Sequence, residues 1–362
     1  MTLLLGIPLL LLALYLIDRN QTRHALRRNY PLLARFRYLF EHLGEFFRQY
    51  FFAMDREEMP FNRAERSWVY RAAKKVDSTI AFGSTRDLKP AGTVLFANCA
   101  FPKLAEEGRE TGTVIIGPHS RKPYQVTSVF HISAMSYGAI SAPAVLALSR
   151  GAKSAGVWMN TGEGGLSAEH LEGGADLVFQ IGTAKYGVRD ASGALCPERL
   201  GEVAAHDQVK MFEIKLSQGA KPGKGGVLPG SKVNAEIARV RAIPLGEDSF
   251  SPNRHPEVST AEDLLDLIDT VRKVSGKPVG IKAVIGDHRW LGELCVAIQE
   301  RGVASAPDFI TVEGAEGGPG AAPASLIDYM GLPLRESLPL VVDILQKFSL
   351  RKRIRVVASG KL

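Results

Sequence analysis

The chain has 362 residues, of which 23% are charged and 45% are hydrophobic, and this composition excludes an intrinsically disordered protein. The length suffices for one large α/β domain or for two smaller domains. The formal net charge is +7 at neutral pH, but the basic residues do not indicate a nucleic-acid partner. Many of them follow one apolar segment near the N-terminus: Arg19, Arg23, Arg27, Arg28, Arg35 and Arg37.

The apolar segment occupies residues 3–17 and is interrupted only by Gly6 and Pro8. Its length is near the lower limit of about 17–25 residues for a membrane-spanning helix. No basic residue precedes it, unlike in a cleavable signal peptide. We therefore predict a transmembrane anchor over residues 1–20 of a single-pass cell-membrane protein. The catalytic domain is expected in the cytoplasm, because the arginines follow the anchor. A buried or amphipathic helix is the alternative.

Residues 21–128 are predicted to form an amphipathic helix and an entry region. Aromatic residues and leucines between Arg27 and Met54 recur at helical spacing, so the helix lies on the membrane surface or packs on the domain. Apolar runs at residues 92–96 and 112–117 predict two short strands, paired in a hairpin.

From residue 129 onwards, short apolar runs alternate with helical stretches. Strands are predicted at residues 130–133, 157–159, 177–181, 209–216, 279–284, 309–313 and 354–359. Helices are predicted at residues 142–156, 260–274, 291–302 and 338–348. Polar motifs follow many successive strands, as in a barrel, and no G-x-G-x-x-G lies between a strand and a helix. We therefore predict an α/β fold, a (β/α)8 TIM-type barrel over residues 129–362, with a long functional insertion at residues 217–254.

Three motifs, two of them glycine-rich, carry the polar residues of this region. They are Ser133–Ser141 (SAMSYGAIS), Asn160–Gly165 (NTGEGG) and Lys215–Gly223 (KLSQGAKPG). Glycine lets the backbone approach a flat or anionic ligand closely, and the polar residues beside it then have something to bind.

Two lysines lie within otherwise apolar predicted strands, where a cation needs an anionic partner. Lys215 and Lys282 would each neutralise the negative charge of a bound ligand. Structural alternatives are also open, namely Glu213 as the partner of Lys215, and Asp287 or Glu313 as the partner of Lys282.

In this order and at these spacings, the three motifs resemble the FMN-binding synthase domain of glutamate synthase, from about residue 129 to the C-terminus. The resemblance implies an FMN cofactor contacted by nine residues: Ala134, Met135, Ser136, Asn160, Lys215, Gln218, Lys282, Ser359 and Gly360. It implies that Glu163, Lys221 and Arg241 are the catalytic residues, which hold 2-oxoglutarate or its imine.

The resemblance also implies the reaction. The expected enzyme is an oxidoreductase acting on CH–NH2 donors, which reduces the 2-imino acid formed from 2-oxoglutarate and ammonia to L-glutamate. The electron donor would be a ferredoxin or an NADPH-linked reductase. No glutaminase half is expected, because the sequence has no N-terminal catalytic cysteine.

The sequence departs from the family pattern in several places. Val227 replaces a glutamine and Lys224 replaces an acidic residue, which weakens the case for 2-oxoglutarate in particular. The last residues, 354–362, match the seventh strand, so the barrel is predicted to be incomplete and to bind FMN weakly.

Neither a metal site nor a set of iron–sulfur ligands is expected. The three cysteines, which lack CxxC spacing, agree with a reducing compartment: Cys99, Cys196 and Cys295.

Two alternative functions stay open at this stage. The chain is a non-catalytic membrane fragment that needs a partner chain, or it is a different FMN barrel enzyme, such as a 2-hydroxyacid oxidase type. The latter requires a histidine base beside the flavin, for which His131 and His170 are the candidates.

Overall fold

A computed structural model describes residues 2–52, 54, 56–77, 79, 81–91, 93–107, 112–217, 219, 225–317 and 322–361. The chain divides into two compact units, residues 1–102 and residues 103–362.

The first unit is helical. Its α-helices are α1 (Thr2–Asn20), α2 (Ala25–Asn29), α3 (Leu33–Phe47) and α4 (Arg63–Ala73). The carboxylate of Asp18 joins α1 to α3, because it accepts two hydrogen bonds of 2.8 Å from the guanidinium of Arg35. The amphipathic helix predicted from residue 27 to residue 54 is present as α2, α3 and a π-helical turn at Arg48–Phe52.

Within the part of the chain whose placement is described, no helix has both the length and the apolar character needed to cross a bilayer. The predicted transmembrane anchor over residues 1–20 therefore has no support from the structure.

The strand predicted at residues 92–96 is wrong over its described residues, 93–96, which have no regular secondary structure. Val94 and Phe96 are 75% and 99% exposed, so this apolar run has no buried face that a sheet would stabilise. The second predicted strand is present as β1 (Val114–Ile116), and its antiparallel partner is β2 (Tyr124–Val126).

The second unit is built on a parallel sheet. Its strands are β3 (Trp158–Asn160), β4 (Asp176–Ile181), β5 (Val209–Lys215), β8 (Val279–Val284), β9 (Phe309–Glu313) and β10 (Arg355–Ser359). The spatial order is β10-β9-β8-β5-β4-β3. Beyond β3, Ile132 forms a single parallel bridge with Met159, which is what remains of the strand predicted at residues 130–133.

Seven helices of the second unit connect or follow these strands. They are α5 (Ala142–Ala155), α6 (Ala168–Glu172), α7 (Pro197–Ala205), α9 (Ala261–Ser275), α10 (Arg289–Arg301), α11 (Ala324–Ile327) and α12 (Leu334–Lys347). The start of α9 follows from its sequence, because Thr260 and Asp263 form a reciprocal capping box. Buried leucines, isoleucines and valines from the strands and the helices form one continuous core.

The sheet curls so that its first and last segments approach each other. The hydroxyl of Ser133, next to Ile132, lies 3.0 Å from the hydroxyl of Ser359 at the end of β10. At the opposite end, the β1–β2 hairpin packs on the first residues of β3 and β9, Trp158 and Phe309. An α/β fold with a curled parallel sheet fits an incomplete TIM barrel, as predicted.

The insertion at residues 217–254 is more regular than a loop. It contains the antiparallel strands β6 (Gly226–Leu228) and β7 (Ser249–Ser251), and the helix α8 (Ala235–Arg241). The Asn234 side chain caps α8 by accepting a hydrogen bond from the Ile237 amide. The predicted insertion therefore contains regular secondary structure in this part.

Candidate functional site

The two lysines that the sequence places in strands are neighbours at the carboxyl ends of β5 and β8. Lys215 and Lys282 are register partners in the parallel pair. The Lys215 Nζ atom lies 3.4 Å from Oε1 of Glu163, and the Lys282 Nζ atom lies 2.8 Å from Oε2 of Glu313. Of the two carboxylates considered as structural partners of Lys282, Glu313 is the one that forms the ion pair. Lys215 pairs with the motif residue Glu163.

The electrostatics of Lys282 follow from its surroundings. The side chain is 5% exposed, and this burial pushes its pKa down. The carboxylates of Glu313 and Glu213 outweigh burial, so that the pKa of Lys282 is raised from its ordinary value. Lys282 is therefore a fixed cation within the barrel at physiological pH.

Glu213 lies in the barrel interior, and the sequence did not identify its role. Its Oε1 atom accepts hydrogen bonds from the side-chain amides of Asn160 (2.8 Å) and Gln180 (2.7 Å), and its Oε2 atom accepts one from the hydroxyl of Thr311 (2.6 Å). The Oδ1 atom of Asn160 accepts the Gly162 amide at 2.9 Å. Asn160 therefore joins the NTGEGG loop to a buried carboxylate, a role separate from the flavin contact predicted for it.

The first two sequence motifs pack directly on each other. Gly162 has a φ of +66°, and a Cβ atom there would lie 2.3 Å from the hydroxyl of Ser136 and 2.8 Å from its backbone nitrogen. Only glycine both adopts this positive φ without strain and lacks the Cβ atom that would clash with Ser136. The next residue, Glu163, packs against Gly182 at the end of β4. The close approach at Gly162 thus places Glu163 on the barrel rim, with its side chain 27% exposed.

Arg241 lies at the same rim, although it belongs to the insertion. Its Nη2 atom donates to the Tyr137 carbonyl oxygen at 3.1 Å, and its guanidinium carbon lies 4.9 Å from the centre of the Tyr186 ring. A Cβ atom at Gly164 would lie 3.5 Å from Nη2, so Arg241 borders the loop that carries Glu163. Within the described part of the chain, its buried Nε–H has no hydrogen-bond partner. An orphaned guanidinium donor suits a carboxylate ligand.

His255 is a further buried group at this rim. Its Nε2 atom lies 2.8 Å from the carbonyl oxygen of Lys215, which only accepts hydrogen bonds, so Nε2 carries the proton. Burial is the main factor that lowers the pKa of His255, and the ring is neutral at pH 7. No signal in the sequence pointed to His255, because it lies outside every motif.

The Ala134–Met135 segment is held in place by its backbone. The Met135 amide donates to the Asn160 carbonyl oxygen at 3.0 Å, and the Met135 carbonyl oxygen accepts from Nε2 of His170 at 3.1 Å. The Met135 side chain is partly buried and packs against the core. His170 is thus engaged with the backbone. His131 stacks on Trp158 at the opposite end of the sheet, so neither candidate histidine is arranged as a base at the rim.

Glycines bring the backbones after β9 and β10 into contact. Gly360 has a φ of +106°, and a Cβ atom at Gly317 would lie 2.7 Å from the Gly360 Cα atom. In complete α/β barrels the loops after the seventh and eighth strands hold phosphate groups, and β10 matches the seventh strand. The flavin contact of Gly360 stays a prediction, and the Ser359 hydroxyl lies within hydrogen-bond distance of the Ser133 hydroxyl.

The remaining predicted residues are placed as follows. Gln218, Lys221 and Lys224 lie outside the described residues. Val227 lies in β6 and is 51% exposed. No group of three or more potential metal ligands occurs among the described residues.

The residues present fit a flavin in two respects. Lys282, supported by Lys215, places fixed positive charge at the carboxyl ends of two central strands, where a reduced ring would carry negative charge. Gly360 leaves the main chain after β10 without a side chain, in the loop after the strand that matches the seventh barrel strand, where barrels hold phosphate groups. Arg241 and Glu163 then border the rim with one cation and one carboxylate for a polar substrate.

Comparison with known proteins agrees with this geometry. Residues 92–362 match the conserved region in glutamate synthase, which begins well before the region in which the motifs were recognised. The glutamate synthase large subunit-like protein YerD of Bacillus subtilis is 39% identical to this chain over an alignment of 399 positions. The alignment covers 99% of this chain and 75% of YerD.

Archaeal-type enzymes are similar over a shorter part. The archaeal-type glutamate synthase [NADPH] of Thermotoga maritima is 34% identical over 71% of this chain, and the archaeal glutamate synthase [NADPH] of Methanocaldococcus jannaschii is 36% identical over 63%. The matched parts are 48% and 42% of those two proteins, so the chain spans about half of their length. The extent of the match over residues 92–362, together with the identity to YerD, shows that the chain belongs to the glutamate synthase family.

Proposed function

We propose that this chain binds FMN and reduces the 2-imino acid formed from 2-oxoglutarate and ammonia to L-glutamate. The observation that carries the proposal is the convergence of Lys215, Glu163 and Arg241 around the NTGEGG loop. FMN, when bound, supplies the hydride for the α-carbon of the imino acid. The names of the archaeal relatives favour NADPH as the ultimate electron source, through a reductase or a ferredoxin.

Each of the three residues has a distinct task in this proposal. Arg241 binds a substrate carboxylate through its orphaned Nε–H, with its orientation fixed by Tyr137 and Tyr186. Glu163 accepts a hydrogen bond from the imino nitrogen and orients it. Lys215 holds the Glu163 carboxylate and, with Lys282, adds positive charge beneath the substrate. Lys221, in the same insertion, is proposed to bind the second carboxylate.

The test uses the full chain loaded with FMN and reduced with dithionite under anaerobic conditions. Mixing with 2-oxoglutarate and ammonium together should reoxidise the flavin and form glutamate, whereas either compound alone should leave the flavin reduced. A flavin that is reoxidised by oxygen but not by the two substrates together would refute the reaction. It would favour the alternative of a fragment that needs a partner chain.

We also propose that the chain is associated with the cell membrane, with the barrel in the cytoplasm. The support is the run of arginines after residues 3–17 and the exposure of apolar side chains in α1, such as Leu9 and Leu10. Fractionation of cells that produce the chain with and without residues 1–20 tests this. Equal recovery of both forms in the soluble fraction would contradict it.

A further inference from the structure

A cavity of about 540 Å³ lies on the outside of the barrel, between α7 and the end of α8. Its volume is within the range of roughly 300–1,000 Å³ found for small-ligand sites. Three arginines line it: Arg189, after β4; Arg199, on α7; and Arg239, on α8. Ile243 and Pro244, which follow α8, give it an apolar wall. It is distinct from the barrel rim, because no residue assigned to the substrate or the flavin lines it.

The arginines of this cavity are not neutralised by the protein. Among the described residues, none of the three forms an ion pair, and the buried Nε–H of Arg189 has no hydrogen-bond partner. The one acidic residue of the lining, Asp190, uses its Oδ1 atom to accept the amides of Ser192 and Ala194. Three arginines and one carboxylate leave the lining with an excess of two positive charges, and a bound anion offsets this excess.

We propose that this cavity is a second binding site, for a small dianion that carries carboxylate or phosphate groups. Guanidinium groups bind both kinds of group in a bidentate manner, which a lysine does not. All three cations are arginines. The Arg189 side chain is prearranged, because its Nη1 atom donates to the Ala184 carbonyl oxygen at 3.3 Å.

The position of the cavity connects it to the substrate site. The seven-residue helix α8 carries Arg239 in the cavity and Arg241 at the rim. The Arg241 carbonyl oxygen accepts the Gly187 amide at 3.2 Å, two residues before Arg189. Both walls of the cavity therefore adjoin the backbone of Arg241. Occupation of the cavity fixes the end of α8 and lowers the Michaelis constant for the 2-oxo acid, a consequence that rests on the proposed function.

The binding test is calorimetric titration of the full chain, at constant ionic strength, with inorganic phosphate and separately with glutarate. Binding should weaken about tenfold or more in Arg239→Ala and in Arg199→Ala, since each removes charged hydrogen bonds. Arg239→Lys should keep part of the anion affinity that Arg239→Ala loses, because lysine retains the positive charge. Arg150→Ala, which removes an exposed arginine of α5, is the matched control and should bind as the wild type does.

The two probes and one further variant separate the possible outcomes. Binding of phosphate alone or of glutarate alone supports the site and identifies its ligand class. Arg241→Ala separates the cavity from the rim, because it should abolish rim binding and leave the cavity intact. Wild-type affinity for both probes in Arg239→Ala and Arg199→Ala would overturn the proposal, and so would the absence of binding to the wild type at millimolar concentrations. A Michaelis constant unaffected by a bound anion would overturn only the coupling.

Discussion

The two ends of the curled sheet both bury charge, but they do so differently. At the amino end, Asp308 and Lys277 are 1% and 5% exposed and are bonded to the main chain, and Asp308 also pairs with Arg272 and Arg353. Asp308 accepts the Val279 amide at 2.9 Å, and Lys277 donates to three carbonyl oxygens, among them those of Ala204 and His206. These charges hold helix ends and strand starts together.

At the carboxyl end, the charges pair with one another and remain partly accessible. Glu163 is 27% exposed and Glu313 is 15% exposed, although each contacts a lysine. A ligand can reach these side chains, and its charged groups can pair with them in place of their present partners. Asp308 is too deeply buried for such contact. The comparison shows that buried charge alone does not mark a functional site. What marks it is charge that the fold leaves within reach of a ligand.

The largest effect is expected from Asp308→Asn at the amino end. The substitution removes the charge that Arg272 and Arg353 share, at 3.4 Å and 3.1 Å. Two partly buried arginines without a counter-charge should lower the free energy of unfolding by about 3 kcal/mol, the lower end of the range for a broken buried pair. Urea unfolding measures this, with Asp343→Asn as the control at an exposed aspartate. A loss below about 1 kcal/mol would show that the amino-end charges are dispensable.

Glu163→Gln tests the opposite end and should act on catalysis. The amide keeps the size of the side chain but loses the charge that orients the imino nitrogen, so turnover should fall about 100-fold. The urea midpoint should change little, because the side chain lies on the rim. Single-turnover reoxidation of the reduced flavin by 2-oxoglutarate and ammonium measures the rate. The same rate in both proteins would remove Glu163 from the reaction.

The sequence predicted best the elements that local signals determine. Strand β8 was predicted with its observed bounds, because an apolar run of that length is typical of a strand buried on both faces. Helix α9 was predicted within one residue at each end, and its first turn carries the acidic residues Glu262 and Asp263 that the helix dipole favours. The short helix α8 was missed, because seven residues carry little periodicity and their position depends on the rest of the insertion.

The partners of the site residues were harder to predict. Lys215 and Glu213 share one face of β5, which made Glu213 a reasonable partner. In the structure, the Glu213 carboxylate is already held by three side chains from other strands, and Lys215 meets Glu163 from a distant loop. Spacing along the chain gives the face on which a residue lies, but tertiary packing decides which of the available groups it contacts.

A pH titration tests the amino end again, through His131. Its Nε2–H donates to the Ser128 carbonyl oxygen, and its Nδ1 atom accepts the Trp158 amide, so the folded protein holds the neutral ring. Burial lowers the pKa of His131 from 6.5 to about 4. Between these values the unfolded chain binds more protons, and the free energy of unfolding falls as the pH decreases from about 6.5 to about 4. The loss should be about 2 kcal/mol, since the ring is only partly buried.

The matched variants for this titration are His131→Phe and His119→Phe. Phenylalanine at position 131 keeps an aromatic ring on Trp158 but does not titrate, so the slope of stability against pH should flatten. His119 is exposed, and its replacement should leave the slope unchanged. Equal slopes in the wild type and in His131→Phe would mean that other groups cause the acid dependence.

The smallest effect is expected from Arg241→Lys at the carboxyl end. Lysine keeps the charge but has no Nε–H group, which is the donor that the fold leaves without a partner. It also lacks the planar group that lies over the Tyr186 ring. Substrate binding should weaken in the ground state and in the transition state alike, so the Michaelis constant for 2-oxoglutarate should rise about tenfold while turnover changes little. Steady-state kinetics measure both constants, and Arg150→Lys is the control. If turnover falls instead and the Michaelis constant is unchanged, Arg241 acts in the transition state and Lys221 alone holds the substrate carboxylates.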